Sequence, residues 1–186
     1  MQYEPIRADH YYHIYNQGNN RENIFVENRN YAYFLRLMHK YLDAISDIYA
    51  YCLLKNHFHI VLKFNENVAD KVISQKLSNL FNSYAKAINK AYHRTGSLFR
   101  DRFRRKRIED ENYLKNLIVY VHLNPEHHGF TNDFRRYKYS SYSSYLSDLP
   151  SKLDREFILG LFEDRSNFVH AHLNKKMELE KSLTLE

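Results

Sequence analysis

The sequence predicts an α+β sandwich in which an antiparallel sheet carries helices, and three observations predict it. Apolar residues alternate at period two over His57 to Phe64, Ile48 to Leu54 is rich in β-branched, aromatic and leucine residues, and Tyr11 to Asn16 ends in a turn-rich stretch, so all three read as strands. Between and after them the apolar spacing changes to that of helices. Turn signals separate the segments, with Gln17-Gly-Asn-Asn20 after the first and Thr95-Gly96 later in the chain.

Tyr11 to Asn16 opens the order as a first strand. The helix after it presents Tyr31, Phe34, Leu35, Met38, Tyr41 and Leu42 as one stripe, and Asn28 or Asn30 can cap it. Ile48 to Leu54 and His57 to Phe64 are joined by Lys55-Asn56 and form a hairpin. From Ala69 the stripe Ile73, Leu77, Leu80, Phe81, Tyr84, Ile88 and Ala91 predicts the longest helix. Leu98 to Ile108 reads as an arginine-loaded strand or ribbon, and Glu109-Asp110-Glu111 favours the start of a third helix running from Asn112 to about Leu123. Pro125 disfavours helical geometry at Asn124 and suggests an end there. The order strand, helix, hairpin, helix, strand, helix is the ferredoxin-like, RRM-like βαββαβ plan.

A chain of 186 residues suffices for one well-cored domain. Residues 1–130 carry the motifs, and residues 131–186 are expected to pack on them as an extension that ends in a helical tail from about Arg155. The final Leu185-Glu186 is given no function. One cysteine, Cys52, excludes an intramolecular disulfide, a thiolate zinc site and a redox pair. No stretch is apolar enough to span a membrane and Met1-Gln-Tyr-Glu-Pro5 does not resemble a signal segment, so a soluble, cytoplasmic protein with no membrane partner is expected. The net charge of +6 favours a polyanionic partner, and 17 tyrosines and 12 phenylalanines suit both base stacking and a core.

His57 and His59 are the centre of the functional reading. On a strand they project from one face while Phe58, Ile60, Leu62 and Phe64 fill the other, and two imidazoles on one face can bind a metal. Spacing alone proves little, since 11 histidines in this chain give roughly 0.6 such triplets by chance. His170-Ala171-His172 has the same spacing in a helical setting, where positions two apart diverge by about 200°. Tyr120 and Asn124, four apart in the third helix, share a face and can set a nucleophile beside an oxygen donor, whereas His122 points away. Taken alone, Tyr120 with Leu117 and Leu123 or Asn124 reads as an ordinary buried stripe, and Asn124 before Pro125 as a turn or helix-end residue. Arg94, Arg100, Arg102, Arg104, Arg105, Lys106 and Arg107 crowd one segment against a single acid, Asp101, and mark nucleic-acid contact; on a strand, Arg100, Arg102, Arg104 and Lys106 would share a face. Arg21 and Lys55 are further phosphate candidates. His13 reads as an interior or strand-face residue, and Lys86 and Lys90 as a charged helix face.

Taken in order, these motifs resemble the single-tyrosine HUH endonucleases, most closely the REP-associated tyrosine transposases. Leu54-Lys-Asn-His-Phe-His-Ile-Val61 resembles the family's His-hydrophobic-His strand, and Tyr120-Val-His-Leu-Asn-Pro125 its Tyr-x-x-x-Asn-Pro helix. Tyr12-His-Ile-Tyr-Asn-Gln-Gly-Asn-Asn-Arg-Glu-Asn-Ile-Phe25 is similar to its opening strand and loop, and Tyr139-Ser-Ser-Tyr142 to a downstream turn, so the resemblance covers at least residues 12 to 142. Gln17 stands where an arginine is common, and Glu126-His127-His128-Gly129 replaces a more usual Val-Arg-Ala-Gly.

The resemblance implies the HUH fold, with Tyr120 as nucleophile and His57, His59 and Asn124 as ligands of Mg²⁺ or Mn²⁺. It also implies single-stranded DNA beside a hairpin as substrate, cleaved and rejoined through a 5′-phosphotyrosine with a free 3′ hydroxyl. Monomer and homodimer both remain open. The rival reading is a non-catalytic, RRM-like nucleic-acid-binding protein. A zinc hydrolase lacks a nearby His-x-Glu or a carboxylate placed as general base.

Overall fold

A computed structural model describes residues 5–183, with side chains described through Glu178. The expectations for Met1 to Glu4 and for Leu185-Glu186 lie outside the described residues. Strands β1 (Tyr11–Gln17), β2 (Ser46–Leu54), β3 (His57–Phe64) and β4 (Arg104–Ile108) form one sheet in the order β2-β3-β1-β4, and every neighbouring pair is antiparallel. Helix α1 (Asn28–Leu42) connects β1 to β2, and α2 (Asp70–Ala91) connects β3 to β4. This is the ferredoxin-like arrangement that the sequence predicts. Helices α3 (Glu111–His127), α4 (Tyr142–Tyr145), α5 (Arg155–Leu161) and α6 (Arg165–Leu183) follow.

Strand alternation gives the sheet two buried faces. Tyr12 and Ile14 of β1 and Phe58, Ile60, Leu62 and Phe64 of β3 face α1 and α2 in the first core. There α2 buries Ile73, Leu77, Leu80, Phe81, Tyr84 and Ile88, while Ala91, at the helix end, is exposed. Helix α1 buries Leu37 in addition to the predicted Tyr31, Phe34, Met38 and Leu42, and Leu35 and Tyr41 are half-buried. Its N-cap is Glu27 rather than either asparagine; Asn30 sits three residues on and its Oδ1 accepts from the Glu27 and Val26 backbone N–H groups (2.8 and 2.9 Å).

The opposite face, with Ala50, Cys52, Leu54 and Val61, meets α3 through Leu117, Ile118 and Val121, and then Tyr142, Tyr145, Ile158, Phe162 and Phe168 of the later segments. Residues 139–141 also close the outer edge of β2. The Leu53 N–H donates to the Tyr139 carbonyl (2.9 Å) and the Ser141 N–H to the Tyr51 carbonyl (2.9 Å), so this edge is not left open for another chain.

Two local expectations are corrected. The basic segment is a strand only from Arg104; Leu98 to Phe103 cross the end of the sheet irregularly, tied by an isolated bridge between Gly18 and Phe99 and by the Arg100 N–H donating to the Gln17 carbonyl (3.0 Å). Helix α3 continues through Pro125 to His127. Proline so near a helix end forfeits a single intrahelical hydrogen bond, its own. The terminal turn closes in a Schellman pattern: Phe130 N–H donates to the Pro125 carbonyl (2.8 Å) and Gly129 N–H to that of Glu126 (3.0 Å). Gly129 has φ +68°, which only glycine adopts without strain.

Candidate active site

The pleat of β3 sends His57 and His59 to the face opposite Phe58 and Ile60. Register then adds partners from β1. Tyr15 lies opposite His59 and His13 opposite Val61, so His13 and Tyr15 share the histidine face. Helix α3 crosses above, bringing Tyr120 edge-on to His59, with ring centres 5.8 Å apart, and fully buried Asn124 to His57. Tyr120 is 45% exposed, so its phenol is open to solvent and substrate.

Hydrogen bonds fix which atoms the site presents. Asn56 Oδ1 accepts from His57 Nδ1 (2.7 Å), leaving the His57 Nε2 as a lone-pair acceptor. Asn124 Nδ2 donates to the Tyr120 carbonyl (3.4 Å), which turns Asn124 Oδ1 toward that same Nε2, 3.4 Å away. Two acceptors thus face one another, the arrangement that a cation satisfies. His59 Nδ1 is joined to His13 Nε2 (2.8 Å); when His59 donates, its own Nε2 lone pair is the one left over.

Burial keeps these rings neutral. It draws His57 down to about 4, with Asn124 opposing and His128 adding to the shift. Burial also draws His13 down to about 4, helped by the Lys106 charge, and holds His59 well below the usual imidazole range, reinforced by His13, His57 and His128. Neutral imidazole is the form that ligates metal. Among the described residues no three His, Cys, Asp or Glu side chains converge as a metal site, so a third protein donor has to come from elsewhere, and the Asn124 carboxamide is in place.

The site opens into a cleft of about 510 Å³ lined by Tyr15, Arg21, His57, His59, Tyr120 and His128, with Arg100 and Arg104 on its wall. The basic residues do not form one ribbon. Arg21, Arg100 and Arg104 line this cleft, and Lys106 shares the His13 face and lies over the Tyr113 ring at 4.6 Å. Arg102 and Arg105 line a different groove, against α2. Arg107 is half-buried, with its Nε unpartnered, and Arg94 pairs with Glu22 (2.5 Å) away from the cleft. Lys55 is exposed in the hairpin turn and does not line the cleft.

Sequence reasoning missed Asn56 and His13 as partners of the two histidines, and His128, whose ring centre stands 4.8 Å from that of His57. Asn56 adjoins the motif in sequence and was findable there; His13 and His128 depend on strand register and on the turn after α3. His122 points away, as expected, and is buried between His172 Nε2 (2.9 Å) and Ser141 Oγ (2.8 Å). His170 is exposed while His172 is buried, so that pair diverges.

No family model and no curated protein matches the sequence. Among solved structures, a REP-associated tyrosine transposase bound to a REP hairpin is similar to this chain with a TM-score of 0.66 at 16% identity, covering 81% of this chain and 87% of that one. The two proteins share a fold, and at that identity the fold is what the likeness establishes.

Proposed function

We propose that the protein is a metal-dependent, single-tyrosine transposase that cleaves and rejoins single-stranded DNA beside a hairpin. The observation that carries this reading is an exposed Tyr120 in a basic cleft that His57 and His59 also line, with the carboxamide oxygen of buried Asn124 facing His57 Nε2 from behind them. The hairpin-bound structural neighbour supports DNA as the partner.

The residue roles are those that the family resemblance implies, and the geometry is compatible with them. Tyr120 Oη attacks the phosphorus, the bond from phosphorus to the 3′ oxygen breaks, and the products are a 5′-phosphotyrosine and a 3′ hydroxyl; the phenolic proton leaves to solvent and the departing oxygen takes one up. One phosphodiester replaces another, so the reverse attack rejoins strands. His57, His59 and Asn124 would hold Mg²⁺ or Mn²⁺, with Asn56 and His13 orienting the two rings. When bound, the ion supplies Lewis-acid polarisation of the phosphoryl oxygens. Arg21, Arg100 and Arg104 neutralise phosphates on the cleft wall.

The test is incubation of labelled hairpin DNA bearing single-stranded flanks with Mg²⁺ or Mn²⁺, followed by a denaturing gel. A covalent protein–DNA species and a shortened strand are expected. Tyr120→Phe abolishes both and keeps hairpin affinity within about twofold; cleavage that persists in this variant rejects Tyr120 as nucleophile. Hairpin binding with no cleavage under either metal favours the non-catalytic reading.

A further inference from the structure

A second, larger cavity of about 820 Å³ lies on the other side of the loop 98–103, between that loop and α2. Its α2 wall is a polar comb of Ser74, Ser78, Asn82 and Lys86, each one helical turn from the next, and its floor holds Arg102 and the half-buried ring of Phe103. Lys86 and Arg102 take part in no ion pair among the described residues, and Asp101 is the one acid lining the groove. The groove meets the catalytic cleft at a thin partition. Asn16 and Asp101 line both cavities, and Asn16 Nδ2 donates to the Asp101 carbonyl (3.0 Å) between them.

We infer that this groove is the track for single-stranded DNA that runs on past the cleaved phosphodiester; the inference rests on the DNA-cleaving reading of the cleft. A charged helix face facing water needs no concavity, no aromatic floor and no junction with a catalytic cleft, and this one has all three. Cations flank the path, hydroxyl and carboxamide groups suit sugar and phosphate oxygens, and the half-buried Phe103 ring, with the Arg105 guanidinium 5.6 Å from its centre, adds aromatic lining. From Ser74 to Lys86 the comb extends about 18 Å along the helix axis, long enough for several nucleotides of an extended strand.

The test is fluorescence anisotropy with the full chain, without divalent metal so that no cleavage occurs. The probes are a blunt hairpin and the same hairpin with six-nucleotide extensions at its 5′ or 3′ end. One extension is expected to tighten wild-type binding about tenfold, and the Ser78→Glu/Lys86→Glu double variant, checked for folding by circular dichroism, loses that gain. Lys86→Gln loses part of it. A wild type that binds the blunt hairpin but gains nothing from either extension overturns the groove and leaves the cleft reading standing, as does a gain that survives the Ser78→Glu/Lys86→Glu double variant. A matched ribonucleotide extension bound as tightly as DNA overturns the DNA assignment. Failure to bind any of these DNAs overturns the functional reading and the groove together.

Discussion

That His57 pairs with His59 and Tyr120 with Asn124 is legible in the sequence because each pairing depends on local geometry alone, period two on a strand and one turn on a helix; their proposed roles rest on the family resemblance. Their supports depend on contacts between elements, and that is where sequence reading stops. Asn56→Ala frees the His57 ring to rotate and to exchange tautomers, so Mn²⁺ affinity measured by titration calorimetry is expected to fall about 10- to 100-fold with the fold intact. An unchanged affinity would show that Asn56 does not orient the ligand. Gly18 is a second residue whose importance is local. Its φ is an ordinary −62°, but an added Cβ would lie 2.0 Å from the Glu22 carbonyl oxygen. Gly18→Ala must therefore displace the loop carrying Arg21, whose own φ is +60°, and is expected to lower DNA affinity and cost roughly 1–3 kcal/mol of stability in chemical denaturation.

Helix α3 shows why element boundaries were harder to read than elements. The proline rule is sound on average, yet at Pro125 only one hydrogen bond is at stake and a glycine-closed turn follows, so the helix runs on and holds Asn124 in register with Tyr120. The basic segment misled in the opposite sense, because alternating Arg and Phe mimics a strand where Leu98 to Phe103 bend around the sheet end. Besides its apolar packing, α3 is tied to the later segments by a directional chain of neutral groups. His172 Nδ1 donates to the Phe168 carbonyl (2.7 Å), His122 Nδ1 donates to His172 Nε2 (2.9 Å), and Ser141 Oγ donates to His122 Nε2 (2.8 Å) while accepting from the Tyr51 N–H (2.9 Å).

Burial holds His122 well below its ordinary range and His172 at about 4. The unfolded chain takes up these protons near pH ~6.5 and the folded chain only at lower pH, so stability is full above about 6.5 and declines as pH falls toward about 4. His172 alone accounts for about 2 kcal/mol of that loss by pH ~5. Urea denaturation across this range should show the decline, to which His13, His57 and His59 also contribute, and His172→Gln should make it shallower; a flat wild-type profile would contradict the neutral chain.

At the scale of the molecule, the order of elements was legible from periodicity, and the way the C-terminal third covers the sheet was not. Residues 131–154 carry little periodic signal, and they dock on β2 partly through backbone groups that any sequence possesses and partly through hydroxyls, with Ser141 Oγ accepting from the Tyr51 N–H and Tyr137 Oη donating to the Leu53 carbonyl. The consequence for stability is large. Ile158, Phe162 and Phe168 are buried against α3, and at roughly 1.5–3 kcal/mol each their loss approaches the whole stability of an ordinary domain. A chain ending at Asp154 is therefore expected not to fold cooperatively, as read by circular dichroism on heating; a sharp transition in that fragment would show the extension to be dispensable. Charge also acts at this scale. If Arg100 and Arg104 each hold a phosphate of a single strand, replacing both with alanine reduces the slope of log affinity against log salt by about 0.7 for each.

The central claim is that the Tyr120 oxygen forms a covalent bond with DNA. Digestion of the protein after reaction with a flanked hairpin and Mn²⁺, followed by peptide mass mapping, tests it most directly. The account predicts a nucleotide phosphate attached at Tyr120 and absent without metal. Cleaved DNA with that peptide unmodified, or an adduct on a different side chain, would contradict it.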